Sequence, residues 1–188
     1  MLKGRKIVLR PLTQEDAPIL QSWYMDKDFR TTYDEYDSVE MDAICGDIQR
    51  HQAGIMDPRA EKLTYMVLRK RDLAPVGICC LRRIDRSNRN AEVLLGIGEK
   101  EMRLAGYGLD VLIVLLDIAY YELGLERTYI FACENQPQGL KMGMNFGFVS
   151  EGRLRRHRFA EGRYWDVWVL GLLKEEYERL PIVPKWKR

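Results

Sequence analysis

Apolar and polar positions change period several times along this chain. Residues 7–12 alternate as a strand and are ended by Pro11 and Thr13. Thr13 or Asp16 can then cap a helix reaching about residue 25, and Pro18 favours the later start because proline is tolerated only in a first turn. A second helix is predicted over 39–53, closed by the turn Asp57-Pro58-Arg59. The period then becomes two: strands are predicted over 63–69 and 76–83, joined as a hairpin through a turn at 71–75. A polar turn at 85–90 leads into a strand at 91–98. Residues 109–121 are apolar almost all round, which predicts a helix packed on a sheet. Its exceptions, Asp110 and Asp117, are seven apart and predict a thin wet stripe, with Gly124 as the C-terminal cap. A strand at 128–133, a helix at 137–146 and strands at 148–154 and 165–173 complete the pattern. The order β-α-α-β-β-β-α-β-α-β-β predicts one α/β domain over 1–188 with a single mixed sheet. Its strand–helix–strand step near residue 110 requires parallel pairing there.

Composition adds little to this picture. The 188 residues are 46% apolar and 31% charged, as in an ordinary water-soluble domain, and residues 1–12, with charges at Lys3, Arg5, Lys6 and Arg10 and no continuous apolar core, read as neither a signal peptide nor a membrane span. The net charge of +2 argues against bulk attraction to nucleic acid. Cys45, Cys79, Cys80 and Cys133 form no C-x-x-C pair, and only His51 and His157 could join them, so no metal site is expected. Adjacent Cys79 and Cys80 in an apolar run read as buried thiols, which suits a reducing cytoplasm better than secretion.

Candidate chemistry sits between the strand at 91–98 and the long helix. There Arg103, Leu104, Ala105, Gly106, Tyr107 and Gly108 form a glycine-containing turn that opens a helix. Such a turn presents backbone N–H groups and the positive end of the helix dipole to an anion. The segment has neither the G-x-x-x-x-G-K-[ST] nor the G-x-G-x-x-G spacing, which removes the two commonest nucleotide loops. By itself the turn is equally well explained as a structural corner.

Ordered motifs on both sides give the turn a context. They are Ile7-Val8-Leu9-Arg10-Pro11-Leu12, Ala91-Glu92-Val93, Arg103-x-x-Gly106-x-Gly108, Glu134-Asn135, Asn145-Phe146-Gly147-Phe148, and Gly162-Arg163-Tyr164-Trp165-Asp166-Val167 leading into Leu170-Gly171-Leu172-Leu173. Together they resemble the GNAT N-acetyltransferase family, in the branch of the ribosomal-protein N-terminal acetyltransferases and spermidine acetyltransferase, over nearly the whole chain. The resemblance implies a GNAT-like fold and acetyl-CoA as co-substrate. It implies that Arg103, Leu104, Ala105, Gly106, Tyr107 and Gly108 grip the pyrophosphate. Leu95, Gly96, Ile97 and Gly98 would hydrogen-bond the pantetheine arm as an added strand, with one amide polarising the thioester carbonyl. Asn135, or Gln136 beside it, would contact the far end of the arm.

An amine of solution pKa near about 10 must lose a proton before it attacks the thioester, so a carboxylate base is expected. Glu92, in the Ala-Glu element, is the candidate; the alternative is an exposed strand-end glutamate paired with Arg89. Many relatives carry a tyrosine on the helix after Asn135 that protonates the departing thiolate. Here that helix reads Gln138-Gly139-Leu140-Lys141-Met142-Gly143-Met144 and has none. Tyr164 is a substitute phenol, and Cys133 reads as a buried thiol rather than a nucleophile. The departure leaves a second reading open, a catalytically weak CoA-binding or regulatory module on the same fold.

Two charged patches point to different acceptors. Asp26, Asp28, Asp34, Glu35 and Asp37 among Tyr24, Tyr33 and Tyr36 would suit a cation such as a polyamine, an aminoglycoside or a protein N-terminus, or else form a solvated loop. Arg153, Arg155, Arg156, Arg158 and Arg163 would suit an acidic surface such as ribosomal RNA beside a ribosomal-protein substrate, or form an exposed arginine ladder. The expected partner is thus an amine acceptor, with neither membrane nor direct nucleic-acid binding. Relatives often form homodimers, and the oligomeric state is left open.

Overall fold

A computed structural model describes residues 2–33, 38–55, 57–103 and 105–182. They gather into two compact units, Met1–Ile84 with Val93–Asp117, and Asp85–Glu92 with Ile118–Arg188.

In the first unit the strands run in the order β1 (Leu2–Lys3), β2 (Ile7–Pro11), β3 (Lys62–Arg69), β4 (Pro75–Asp85) and β5 (Asn90–Ile97). β2 pairs antiparallel with β3, and β3 with β4, in the predicted hairpin. Alternation along the strands sends Val8, Met66, Leu68, Ile78 and Cys80 to one face. There they meet Leu20 and Trp23 of α1 (Ala17–Met25), Phe29 of α2 (Lys27–Thr32), and Ile44 and Ile48 of α3 (Met41–Ile55). The short α2 was not expected from the sequence. Asp26 makes it, accepting a bond from the Asp28 amide as N-cap. Helix α4 (Tyr107–Asp117) packs by β2 and buries Val111, Leu112 and Leu115. It ends four residues short of the predicted helix, because Ile118–Glu122 continue as a π-helical turn.

The entry to α1 is held by a carboxylate. Asp16, 3% exposed, takes two bonds from the Arg10 guanidinium (2.6 and 2.7 Å) and one from the Thr13 amide (2.7 Å). Burial raises the Asp16 pKa, but the hydrogen bonds from Arg10 and Thr13 and the charge of Arg10 together outweigh it and hold the carboxyl below its ordinary value. A carboxylate whose folded pKa is lowered adds stability above its unfolded pKa of about 3.9, and that stability disappears as pH falls through the folded value. Asp16→Asn is therefore expected to cost about 1–2 kcal/mol at pH 7 and progressively less below about pH 4, read from urea midpoints across pH.

The second unit contains the start of β5, then β6 (Arg127–Cys133), β8 (Arg163–Leu173) and β7 (Val149–Ala160) in that spatial order. β5 and β6 pair in parallel through Asn90 with Arg127, Ala91 with Thr128 and Glu92 with Tyr129, as the strand–helix–strand pattern required. β8 is antiparallel to both β6 and β7. Helix α5 (Pro137–Phe146) packs Gly143 against Ile130 and Leu170, where a Cβ would collide. The Tyr120 hydroxyl meets Thr128 and the Leu172 carbonyl (both 2.7 Å), and its ring packs on Tyr177 of α6 (Lys174–Arg179).

β7 runs six residues beyond its predicted end. Leu154 pairs with Val167 and Arg158 with Trp165, so Arg155, Arg156 and His157 stand opposite Asp166 alone. This bulge breaks the alternation a sequence reading follows, and it places Arg156 at φ 52°. Beyond it Glu161 and Gly162, with φ of 55° and 75°, close a two-residue hairpin turn.

Candidate functional site

The C-terminal half of β5 and the loop after it carry most of the predicted site. The Gly98 amide donates to Val76 of β4 at 2.9 Å. Backbone groups alternate edges along a strand, so the N–H and C=O groups of Leu95 and Ile97 point to the opposite edge from β4. The Ile97 carbonyl accepts from Arg103 Nε at 3.1 Å. Gly96 and Gly98 have packing reasons to be glycine. A Cβ on Gly96 would lie 2.8 Å from the Phe29 ring and 3.0 Å from Tyr33 Cβ, and one on Gly98 would overlap the Trp23 ring. The Trp23 indole N–H also donates to Glu99 at 3.1 Å, fixing α1 to the start of the loop.

A 3₁₀ turn at Lys100–Met102 leads through Arg103 to Ala105 and Gly106; Leu104 lies outside the described residues. Gly106 has φ +78°, a conformation that favours glycine. Its carbonyl accepts the first bond of α4, from the Asp110 amide at 3.4 Å. The amides of Tyr107, Gly108 and Leu109 lie ahead of that bond and have no acceptor within the helix. Together with the dipole of α4 they make a site for an anion.

Two side chains here depart from the sequence reading. Asp110 lines no wet stripe: it is 6% exposed and accepts the amides of Arg5 (3.0 Å), Lys6 (2.7 Å) and Ile7 (3.1 Å). The Arg103 guanidinium is turned into the protein. It donates to the Ile97 and Gly98 carbonyls and, at 2.6 Å, to Asp26 at the head of α2. Burial raises the Asp26 pKa, but the Arg103 hydrogen bond, the Asp28 amide and the charges of Arg103 and Lys100 together outweigh it and hold the carboxyl below its ordinary value. Arg103 thus braces the loop. Arg103→Gln is expected to raise KM for acetyl-CoA about tenfold with a smaller change in kcat, measured by initial rates.

In the second unit Glu92 is 1% exposed and accompanies Ala91 in the parallel ladder. The alternative of an exposed glutamate fails, and Arg89 is committed elsewhere, to Glu126 (2.7 Å) and the Gly124 carbonyl. At the end of β6, Asn135 Oδ1 and Gln136 Nε2 are buried with no hydrogen-bond partner among the described residues. Buried polar atoms of this kind call for a partner such as a ligand or water. Cys133 is 5% exposed, and the His157 ring stacks on Phe131. Tyr164 lies at the hairpin tip against Phe159 and beneath the Arg156 guanidinium.

The structure describes part of the acidic patch and the whole of the arginine stretch. Tyr24 and Tyr33 are core residues at 1% exposure, stacked around Phe29, and Asp26 is occupied by Arg103 with Lys100 at 3.6 Å. Asp28 is exposed, while Asp34, Glu35, Tyr36 and Asp37 lie outside the described residues. On the hairpin Arg153 pairs with Asp166 at 2.5 Å and lies over Trp168, and Arg163 stacks on Trp165. The Arg156 amide and Arg153 hold the Asp166 carboxyl below its ordinary pKa. No group of three metal-ligating side chains occurs among the described residues, and none of their helices is long and apolar enough to cross a membrane.

A loop of this geometry, at the end of a strand and the head of a helix, offers an anion unpaired amides and a helix dipole. Residues 6–149 match the acetyltransferase (GNAT) domain family, and the chain belongs to that family of N-acetyltransferases. It is similar to the uncharacterized N-acetyltransferase p20 of Bacillus licheniformis, with 24% identity over 176 residues, 94% of this chain and 97% of that one. A match to spermidine N(1)-acetyltransferase of Vibrio cholerae has 28% identity over 102 residues, and spans 54% of this chain and 58% of that protein. In fold, the chain superimposes on the spermidine/spermine N-acetyltransferase SpeG of Vibrio cholerae with a TM-score of 0.77 at 22% identity, covering 92% of this chain and 96% of that one. A crystal structure of a probable acetyltransferase gives 0.81 at 24% identity, with the same coverage of 92% and 96%. The α/β GNAT-like fold expected from the motif order is therefore present.

Proposed function

We propose that the protein transfers the acetyl group of acetyl-CoA to a primary amine, that of a polyamine, another small amine or a protein N-terminus, by direct attack in a ternary complex. The observation that carries this reading is the turn at Gly106, whose positive φ opens α4 with its first amides unpaired within the helix. The unpartnered Asn135 and Gln136 atoms fit an additional contact to the pantetheine arm. Residues 1–188 then act as one acetyltransferase domain, and its free thiols suit the cytoplasm.

Acetyl-CoA supplies the activated acetyl group. Leu95 and Ile97 offer the edge of β5 that faces away from β4 to the pantetheine arm, and the Leu95 amide donates to the thioester oxygen. A donor aimed at the developing oxyanion lowers the barrier by about 3 kcal/mol. Glu92 takes the proton from the attacking amine, directly or through water. No tyrosine or serine of α5 is available to protonate the leaving thiolate. With a thiol pKa of about 8.5, that thiolate leaves without one near neutral pH.

Release of CoA thiol from acetyl-CoA, followed with pools of polyamines, aminoglycosides and basic peptides, should identify the acceptor. Two-substrate kinetics with that acceptor should give intersecting double-reciprocal lines. Parallel lines would point to an acyl-enzyme, for which Cys133 is the nearest thiol to Asn135 in the chain, and would overturn direct attack. CoA binding without turnover on any pool would favour the binding-module reading, motivated by the helix that lacks its tyrosine.

A further inference from the structure

The strand at the amino terminus is tied to the loop before α4 by contacts that the roles above leave unused. Asp110 accepts the Lys6 amide at 2.7 Å, and the Lys6 carbonyl accepts the Lys70 amide at 2.8 Å, so the Lys6 backbone is fixed from both sides. Gly4 belongs to the same strap, since a Cβ there would collide with the Asp110 carboxylate. The Lys6 ammonium then reaches the loop itself. It donates to the Ala105 carbonyl at 2.8 Å and lies 5.8 Å from the centre of the Tyr107 ring. It also lies 3.4 Å from the point that a Cβ on Gly106 would take.

This placement runs against helix electrostatics. A cation stabilises the C-terminal end of a helix, whereas Lys6 stands at the head of α4, beside amides that carry partial charge of the same sign. Asp110 is close, but its oxygens are committed to the amides of Arg5, Lys6 and Ile7. Among the described residues the ammonium bonds to a neutral carbonyl and to no carboxylate. One of its three N–H groups is used there, which leaves two for a ligand. An anion arriving at the loop would relieve the repulsion and gain charge-assisted hydrogen bonds together.

We propose that Lys6 is a phosphate ligand of the acetyl donor, contacting the pyrophosphate held by the amides after Gly106. The proposal rests on the reading of that loop as an acetyl-CoA site. It adds a residue about a hundred positions from the glycine motif, and it makes donor affinity depend on the amino-terminal strap.

KM values for acetyl-CoA, 3′-dephospho-acetyl-CoA and acetyl-pantetheine, measured with wild type, Lys6→Met and Lys6→Arg, test it. Lys6→Met should raise KM about tenfold for both pyrophosphate-bearing donors and leave the value for acetyl-pantetheine close to that of wild type; Lys6→Arg should restore most of the loss. Wild-type affinity for acetyl-CoA should also fall more steeply with salt than that of Lys6→Met. An equal rise for all three donors would make Lys6 merely structural, and no rise would remove it from the site; either result overturns the proposal. A rise for acetyl-CoA alone would move the contact to the 3′-phosphate and overturn the pyrophosphate assignment. Should Lys6→Met fold poorly, Lys6→Gln gives the same comparison. A wild type that fails to distinguish acetyl-CoA from acetyl-pantetheine would instead defeat the reading of the loop.

Discussion

Glu92→Gln is expected to lower kcat about a hundredfold near pH 7, with KM for acetyl-CoA nearly unchanged. The substitution keeps shape and hydrogen-bonding capacity at a position that is 1% exposed, so the lost property is the ability to take a proton. The acceptor amine, with a pKa near about 10, sheds its own proton as pH rises, and the deficit should shrink steadily between pH 7 and 10. The measurement is kcat against pH for both proteins. A constant ratio across that range would place the base elsewhere. An unfolded variant is recognised separately, because it would also lose affinity for acetyl-CoA.

The second large effect falls on stability. Asp110→Ala is expected to destabilise the protein by about 3 kcal/mol, because three amides lose their acceptor and one of these bonds is buried. For a chain of this length that corresponds to a fall in Tm of roughly 10 °C. Asp110→Asn keeps one acceptor oxygen and should show less than half the shift. Affinity for acetyl-CoA should fall with both, since the strap that positions Lys6 is loosened. Thermal unfolding followed by circular dichroism checks this. A fall in Tm below about 2 °C for the alanine variant would show that water satisfies those amides and that the strap is dispensable.

What could be read from the sequence follows from the range of the forces involved. The helix at Pro137–Phe146 has its predicted bounds because both ends are marked locally, by proline in its first turn and by Gly147 at φ +125° just past its end. The strands on either side of residue 72 are set by alternation over a few residues. The turn at Gly106 was legible for the same reason. By contrast, Arg103 and Asp26 are 77 positions apart, and Asp110 and Arg5 are 105 apart. No local pattern shows that one guanidinium is turned inward, or that a carboxylate on an apolar helix is fastening a distant strand. Tyr24 and Tyr33 misled for another reason. An aromatic ring with a polar tip suits a binding pocket and a core equally, and only tertiary packing around Phe29 decides between them. The bulge at Arg155, Arg156 and His157 was hidden because a bulge shifts register without leaving a mark in composition.

The central claim is that the loop opening α4 holds acetyl-CoA while its acetyl group passes to an amine. It is tested most directly by incubating the protein with acetyl-CoA and the amine pools and quantifying CoA thiol and acetylated amine together, by thiol titration and mass spectrometry. Equal amounts of the two, with neither formed when amine is omitted, are the expected result. Thiol released without acetylated amine, or acetyl-CoA bound with no turnover on any amine, would contradict it.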